Sequence, residues 1–160
     1  MSSDYAFEMA VSSIRFGTGV TREVGQDLAD MGVKHALVVT DQTLRALKPV
    51  QTVLESLDAN KIRYTVFDRV RVEPTDESFL EAIAFGRDAN FDAIVAVGGG
   101  SVIDTAKAVN LYVTYPPADF LDYVNPPIGK GLPVPGPLKP LIAIPTTAGR
   151  IAVRHIRLSR

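Results

Sequence analysis

Residues Gly98-Gly99-Gly100-Ser101-Val102-Ile103-Asp104-Thr105-Ala106-Lys107 carry the sharpest chemical signal in the chain. A buried-strand run, Phe91 to Val97, leads straight into three glycines, and helix-forming residues follow at once. Glycine lets a backbone turn tightly and present its N–H groups without side-chain obstruction. The first turn of a helix adds unpaired donors and the positive end of the helix dipole. Together they make a seat for a diphosphate. One glycine would serve a plain strand–helix turn; three in a row point to a ligand. Ser101 reads as the N-cap of the helix, and Asp104 three residues later as its capping-box partner. The spacing is not the Gly-x-Gly-x-x-Gly of ordinary dinucleotide folds.

Other residues offer weaker chemistry. Asp41 follows a predicted strand at the sheet edge where ligands of open α/β folds collect. It reads either as a cap for a helix near Thr43 or as a carboxylate for ribose hydroxyls, one that would repel a 2′-phosphate. Thr146 and Thr147 end another apolar strand, where hydroxyls can bond ribose, phosphate or amide. Glu73-Pro74-Thr75 reads as a turn into a helix capped by Thr75, with a nucleotide-facing loop as the alternative. His35 enters a strand and reads as structural; with His155 it makes no metal site. Asp119, Asp122 and Tyr123 read as members of a solvated loop.

The elements that must position these groups follow from periodicity. Val24, Leu28 and Met31 repeat at helical spacing before Gly32. Residues 35–40 form a β-branched strand. Leu44, Leu47, Val50, Val53, Leu54 and Leu57 are again helical, with Pro49 at a first turn or a break. A strand over 62–67, a helix over 75–89, the strand 91–97, a helix over 101–112 and a strand over 141–144 complete the order. This alternation predicts an α/β fold: an open parallel sheet with helices on both faces and right-handed crossovers. Nine of the 11 prolines lie after residue 115. The stretch 115–140 is therefore a long ordered loop, with a short helical turn around 119–123.

Composition sets the outer bounds. The chain has 160 residues, 46% apolar and 22% charged, with a formal net charge of -1. That suits one soluble α/β domain and provides no field for nucleic acid or an anionic membrane surface. No apolar run is long enough for a bilayer span. There are no cysteines, which removes disulfides, thiolate nucleophiles and cysteine-bound zinc.

With these residues in view, the sequence resembles the iron-containing (group III) alcohol dehydrogenases. They carry Gly-Gly-Gly-Ser-x-x-Asp-x-x-Lys, matched here in full by Gly98 to Lys107. A later Pro-Thr-Thr motif is matched in its opening by Pro145 to Gly149. Tyr5 to Val11, Val70 to Asp76, Phe120 to Val124 and Pro127 to Gly131 resemble the hydroxyacid-oxoacid transhydrogenase branch. The glycerol dehydrogenase and dehydroquinate synthase branches share the glycine turn but not those segments. The resemblance covers about residues 5–149. It implies a Rossmann-like nucleotide-binding domain holding NAD or NADP. The cofactor-binding residues it implies are Asp41, Gly98, Gly99, Gly100, Ser101, Asp104, Thr146 and Thr147, with Lys107 supporting the first helix turn. It implies hydride transfer from a hydroxyacid such as 4-hydroxybutyrate, through bound nicotinamide, to 2-oxoglutarate. Iron or another divalent metal assists. The partners it implies are small hydroxyacids and oxoacids, with a homo-oligomer open. The implied compartment is cytoplasmic in a bacterium and mitochondrial in an animal. Another iron-type alcohol dehydrogenase, or a nucleotide-binding fragment without chemistry, stand as alternatives.

The resemblance fails at both functional extremes of the family pattern. Its metal ligands, an Asp and three His, lie in an all-helical C-terminal domain, and no residue here takes over their role. No catalytic residue is expected in this chain, and no turnover from the chain alone. Residues 150–160 are abruptly basic and unlike the family, which continues after the Pro-Thr-Thr motif with Thr-Gly-Ser-Glu-Thr. Ala152-Val153-Arg154-His155 can be encoded GCA-GTG-AGA-CAT, and those bases contain AGT-GAG-ACA, Ser-Glu-Thr, in a shifted frame and at the family's register. The expectation is a domain over 1–149 and a frameshifted tail over 150–160, which the gene's own bases test.

Overall fold

A computed structural model describes residues 13–146 and the backbone of 155–158. Its elements in chain order are β1 (Ser13–Arg15), α1 (Val24–Asp30), β2 (His35–Val39), α2 (Lys48–Ala59), β3 (Arg63–Phe67), α3 (Asp76–Ala89), β4 (Ala93–Gly98), α4 (Gly100–Thr114), β5 (Leu141–Pro145) and β6 (His155–Leu158). Short 3-10 turns occupy Val20–Glu23, Leu44–Ala46 and Phe120–Tyr123. The six strands form one sheet in the order β1-β6-β5-β4-β2-β3. Strands β3, β2, β4 and β5 are parallel, as the alternation predicts. To this parallel core the structure adds β6 and β1, both antiparallel.

The central strands are apolar along nearly their whole length because both faces are covered. Ala36 and Val38 of β2, with Ala93, Val95 and Val97 of β4, point to one face and pack on Val24, Leu28, Val50, Val53 and Leu57 of α1 and α2. Leu37, Val39, Ile94 and Ala96 point to the other and meet Ala82, Ile83, Val102, Ala106 and Val109 of α3 and α4. The period-2 pleat thus sends alternate residues of one apolar run into two separate cores. Asp92 joins the strand entrances: its carboxylate accepts from the amides of Lys34 and His35, both at 2.9 Å. Those backbone donors, Lys34 first, hold its pKa below the ordinary aspartate value. His35 is structural, its Nε2 lying 2.8 Å from Thr65 Oγ1.

Local signals explain the helix ends. Pro49 sits in the first turn of α2, where a missing N–H costs nothing. Thr75 caps α3 in a reciprocal capping box with Ser78. Asn90, in the left-handed region at φ 49°, ends α3.

The proline-rich segment is ordered and largely exposed, and Asp119 faces solvent as its sequence reading expects, but Asp122 does not. Asp122 is only 5% exposed. It accepts from Lys130 Nζ at 2.6 Å and from the Asp119 amide at 3.0 Å. Lys130 chiefly, then that amide, lowers the Asp122 pKa, and Asp122 in turn raises that of Lys130. Tyr112 donates to Phe120 O at 2.7 Å, Tyr123 to Tyr115 O at 3.0 Å and Tyr115 to Pro137 O at 2.9 Å. Proline removes backbone donors, so side-chain hydroxyls and amides satisfy the carbonyls that remain.

Candidate functional site

The site begins where the chain changes direction across the sheet. After β2 the chain passes to α2 on one face; after β4 it passes to α4 on the other. Because β2 and β4 are neighbours, their C-terminal ends diverge into a crevice, the usual ligand position in open α/β sheets. A cleft of about 990 Å³ opens there. Asp41, Gly99, Gly100, Ser101 and Thr146 line it, together with Arg69 to Val72 of the β3–α3 loop. Five of the expected residues therefore share one cavity. Thr147 lies outside the described residues, as do Tyr5 to Val11 and the 147–154 segment on which the frameshift reading rests. The side chain of His155 lies outside them too.

The three glycines play different parts. A Cβ on Gly98 would stand 2.5 Å from Val102 Cγ2, so the strand can run this close to α4 only with glycine. Gly99 adopts φ -82° and ψ -168°, extended backbone open to any residue. A Cβ on Gly100 would meet nothing within 4 Å. Packing explains Gly98; for Gly100, and for the backbone of Gly99, the fold alone makes no such demand. The amides of Gly99, Gly100 and Ser101 have no acceptor among the described residues. These donors, at the positive end of a 15-residue helix, are what a diphosphate requires.

Two expectations about α4 need correction. Its N-cap is Gly99, and Ser101 lies inside the first turn. The Ser101 hydroxyl donates to Val72 O at 2.7 Å, tying the β3–α3 loop to the helix instead of capping it. Asp104 therefore has no capping partner. It faces solvent with 67% of its side chain exposed, 3.8 Å from Lys107, and does not line the cleft. The helix starts one residue earlier than expected because Gly100 already has helical geometry, which moves Ser101 past the capping position.

Asp41 meets its capping expectation: Oδ1 accepts from the Leu44 amide at 2.8 Å. Its other oxygen has no partner among the described residues, so the ribose role remains available to it. Sequence reasoning missed Thr40. This buried threonine donates to Val97 O at 2.9 Å, locking the ends of β2 and β4 together at the floor of the crevice. Its signal was a threonine closing an otherwise apolar strand. Thr146 is fixed by its own amide, which donates to Gly98 O at 3.1 Å.

A model of the family described as iron-containing alcohol dehydrogenase matches residues 12–152. The chain belongs to the iron-containing alcohol dehydrogenase family. Among relatives in that family, the mitochondrial hydroxyacid-oxoacid transhydrogenase of Bos taurus is 64% identical over 148 residues, covering 92% of this chain and 32% of its own length. The human protein of that name is 62% identical with the same coverage. The chain thus spans about a third of the length of these relatives. Solved structures agree. NADH-dependent butanol dehydrogenase A of Thermotoga maritima superposes with a TM-score of 0.76 at 22% identity, over 89% of this chain and 34% of that one. That likeness supports the fold. Sulfoacetaldehyde reductase of Bifidobacterium kashiwanohense, solved with NAD+, gives 0.73 at 26% identity, over 90% and 36%.

The family's cofactor and metal fare differently against these residues. The cleft suits a dinucleotide: it is roomy, open in front of Gly100, and edged by amides that are unpaired among the described residues. Among the described residues no three of His, Asp and Glu gather to hold a metal ion. The described residues do not fit the metal.

Proposed function

We propose that this chain supplies the nucleotide-binding part of a hydroxyacid-oxoacid transhydrogenase in the mitochondrion. It would hold a nicotinamide dinucleotide while hydride passes from a hydroxyacid such as 4-hydroxybutyrate to 2-oxoglutarate. The bound nicotinamide supplies the hydride acceptor and, in the second half of the cycle, the donor. This chain's residues bind and orient. The amides of Gly99, Gly100 and Ser101 take the diphosphate oxygens. The free oxygen of Asp41 accepts from a ribose hydroxyl, which favours NAD over its 2′-phosphorylated form. Thr146, anchored to the end of β4, presents its hydroxyl on the path from diphosphate to nicotinamide. The helix dipole and the amides are fixed before ligand arrives, so little ordering cost opposes binding.

One observation carries this reading: a glycine at 100 that packing does not demand and one at 99 whose backbone angles suit any residue, beside three amides unpaired among the described residues, at the mouth of a crevice of about 990 Å³. Calorimetric titration of the wild type and Gly99→Val with NAD and NADP tests it. Valine tolerates the backbone angles at residue 99 but screens the amides. The expected result is a wild type that prefers NAD and a variant that binds at least about 30-fold more weakly, the loss of roughly one or two charge-assisted hydrogen bonds. Circular dichroism should show an unchanged fold. Equal affinities for the two proteins would sink the assignment.

A further inference from the structure

We propose that Arg71 is a phosphate-binding residue: its guanidinium grips the diphosphate of the nucleotide beside the Gly99–Ser101 amides. The proposal rests on the nucleotide reading given above and assigns the cation that completes the site.

The β3–α3 loop brings two arginines to the crevice wall, two residues apart. Arg69 is engaged. Its Nε donates to Glu81 Oε1 at 2.6 Å, and its guanidinium lies over the rings of Phe67 and Phe85, 5.1 and 5.5 Å from their centroids. Three contacts fix it as a support for the loop. Arg71 makes no hydrogen bond or ion pair with any described residue.

An exposed, unpaired arginine is ordinary on a protein surface; the tether makes this one different. Ser101 Oγ donates to Val72 O at 2.7 Å, so the residue following Arg71 is bonded to the first turn of α4. That bond sets the Arg71 backbone within one arginine's reach of the three unpaired amides. It also explains why a serine inside the helix turn, not at its cap, belongs to the site. Charge is divided across the cleft accordingly. Asp41 offers a carboxylate oxygen, suited to ribose hydroxyls and hostile to a phosphate there. Arg71 offers the only charge in the cleft that is both positive and unpaired among the described residues. A phosphate group could come from the diphosphate bridge or from the ribose 2′ position; the carboxylate at Asp41 assigns Arg71 to the bridge. Guanidinium and phosphate meet in a bidentate fork, which adds orientation to attraction.

Titration of the wild type, Arg71→Ala and Arg71→Lys with adenosine, ADP, adenosine 2′,5′-bisphosphate and NAD tests the assignment. Arg71→Ala should weaken ADP and NAD by about tenfold or more and leave adenosine unchanged. Arg71→Lys should recover part of the loss, most at low ionic strength. An ADP affinity unaffected in Arg71→Ala overturns the proposal, as does an equal loss for adenosine, which would mark a structural role. A loss confined to the 2′-phosphorylated nucleotide overturns the diphosphate assignment. Gly99→Val separates this from the parent reading. If that variant loses ADP while Arg71→Ala keeps it, only the arginine's role falls. If the wild type binds none of the four, both fall.

Discussion

The glycine turn after β4 and the proline-rich stretch between α4 and β5 are both irregular backbone, yet they treat their polar groups in opposite ways. The proline stretch closes its buried acid and its tyrosines on itself. Asp122 takes Lys130 and the Asp119 amide, and three tyrosine hydroxyls each find a carbonyl. Among the described residues, the glycine turn leaves three amides without acceptors, with space in front of Gly100. A loop whose side chains hold its own backbone is scaffold; amides left unpaired together at a helix end, facing open space, suit a ligand. Irregularity alone does not mark function. What distinguishes the two regions is whether unpaired donors gather at a helix end in a crevice.

The strongest way to break this contrast lies on the scaffold side. Asn110 is buried, 2% exposed, and bridges α4 to the end of the proline stretch. Its Nδ2 donates to Lys139 O at 2.8 Å and its Oδ1 accepts from the Lys139 amide at 3.2 Å. Asn110→Ala strands both backbone groups of Lys139 and should cost about 2–4 kcal/mol in denaturant unfolding. Calorimetric NAD affinity, measured below the unfolding range, should stay as in the wild type. A variant that kept its stability and lost NAD would place function in the proline stretch and reverse the comparison.

A smaller effect on the same side depends on pH. The folded pKa of Asp122 lies below its unfolded value, chiefly through Lys130. Its contribution is therefore present above the ordinary aspartate pKa and disappears as pH falls from there through the lowered folded value. For Lys130 the folded pKa is raised by Asp122, so the same contribution is present below the ordinary lysine pKa and fades as pH rises through the raised value. Melting temperatures of the wild type and Lys130→Ala should differ near neutrality and converge at the acid end. Asp92 titrates in both proteins and cancels. A gap that persists undiminished in strong acid would show that the lysine acts by packing and not by charge.

The sequence made the parallel core legible because buried strands and amphipathic helices have different periods; most boundaries found lie within one or two residues of those expected, while the helical pattern from Leu44 resolves into a 3-10 turn and a helix starting at Lys48. Its limits were specific. Ser101 reads as a cap on type and position, yet the helix begins at Gly100 and the hydroxyl turns to Val72, a partner 29 residues away. Asp104 lost its role with that shift. Asp122 reads as solvated because proline-rich acidic stretches usually are, and only the fold brings Lys130 over it. Thr40 carried no motif at all; its bond to Val97 O depends on β2 lying beside β4. The misses at Ser101 and Thr40 are hydrogen bonds from short hydroxyl side chains to partners 29 and 57 residues away, which local pattern does not encode. The glycine turn stands out in the sequence because its excess over what a turn needs is itself a local observation.

The finest test of the contrast uses one methyl group. Gly100 stands at the start of α4, where a Cβ would touch nothing within 4 Å. Replacing it with alanine removes backbone freedom from the unfolded chain without adding a clash, which should raise stability by about 0.5–1 kcal/mol. The same methyl would project into the space before the unpaired amides, so NAD affinity should fall by several-fold, less than in Gly99→Val. Stability and binding would then move in opposite directions from one substitution. Gly98→Ala provides the control, since its Cβ collides with Val102 and should lower stability first. If Gly100→Ala gained stability and bound NAD as well as the wild type, the open space at residue 100 would not be occupied by the ligand, and the diphosphate would have to sit nearer Ser101 alone. A glycine kept where alanine would be more stable is best explained by something that must fit in the place of that methyl.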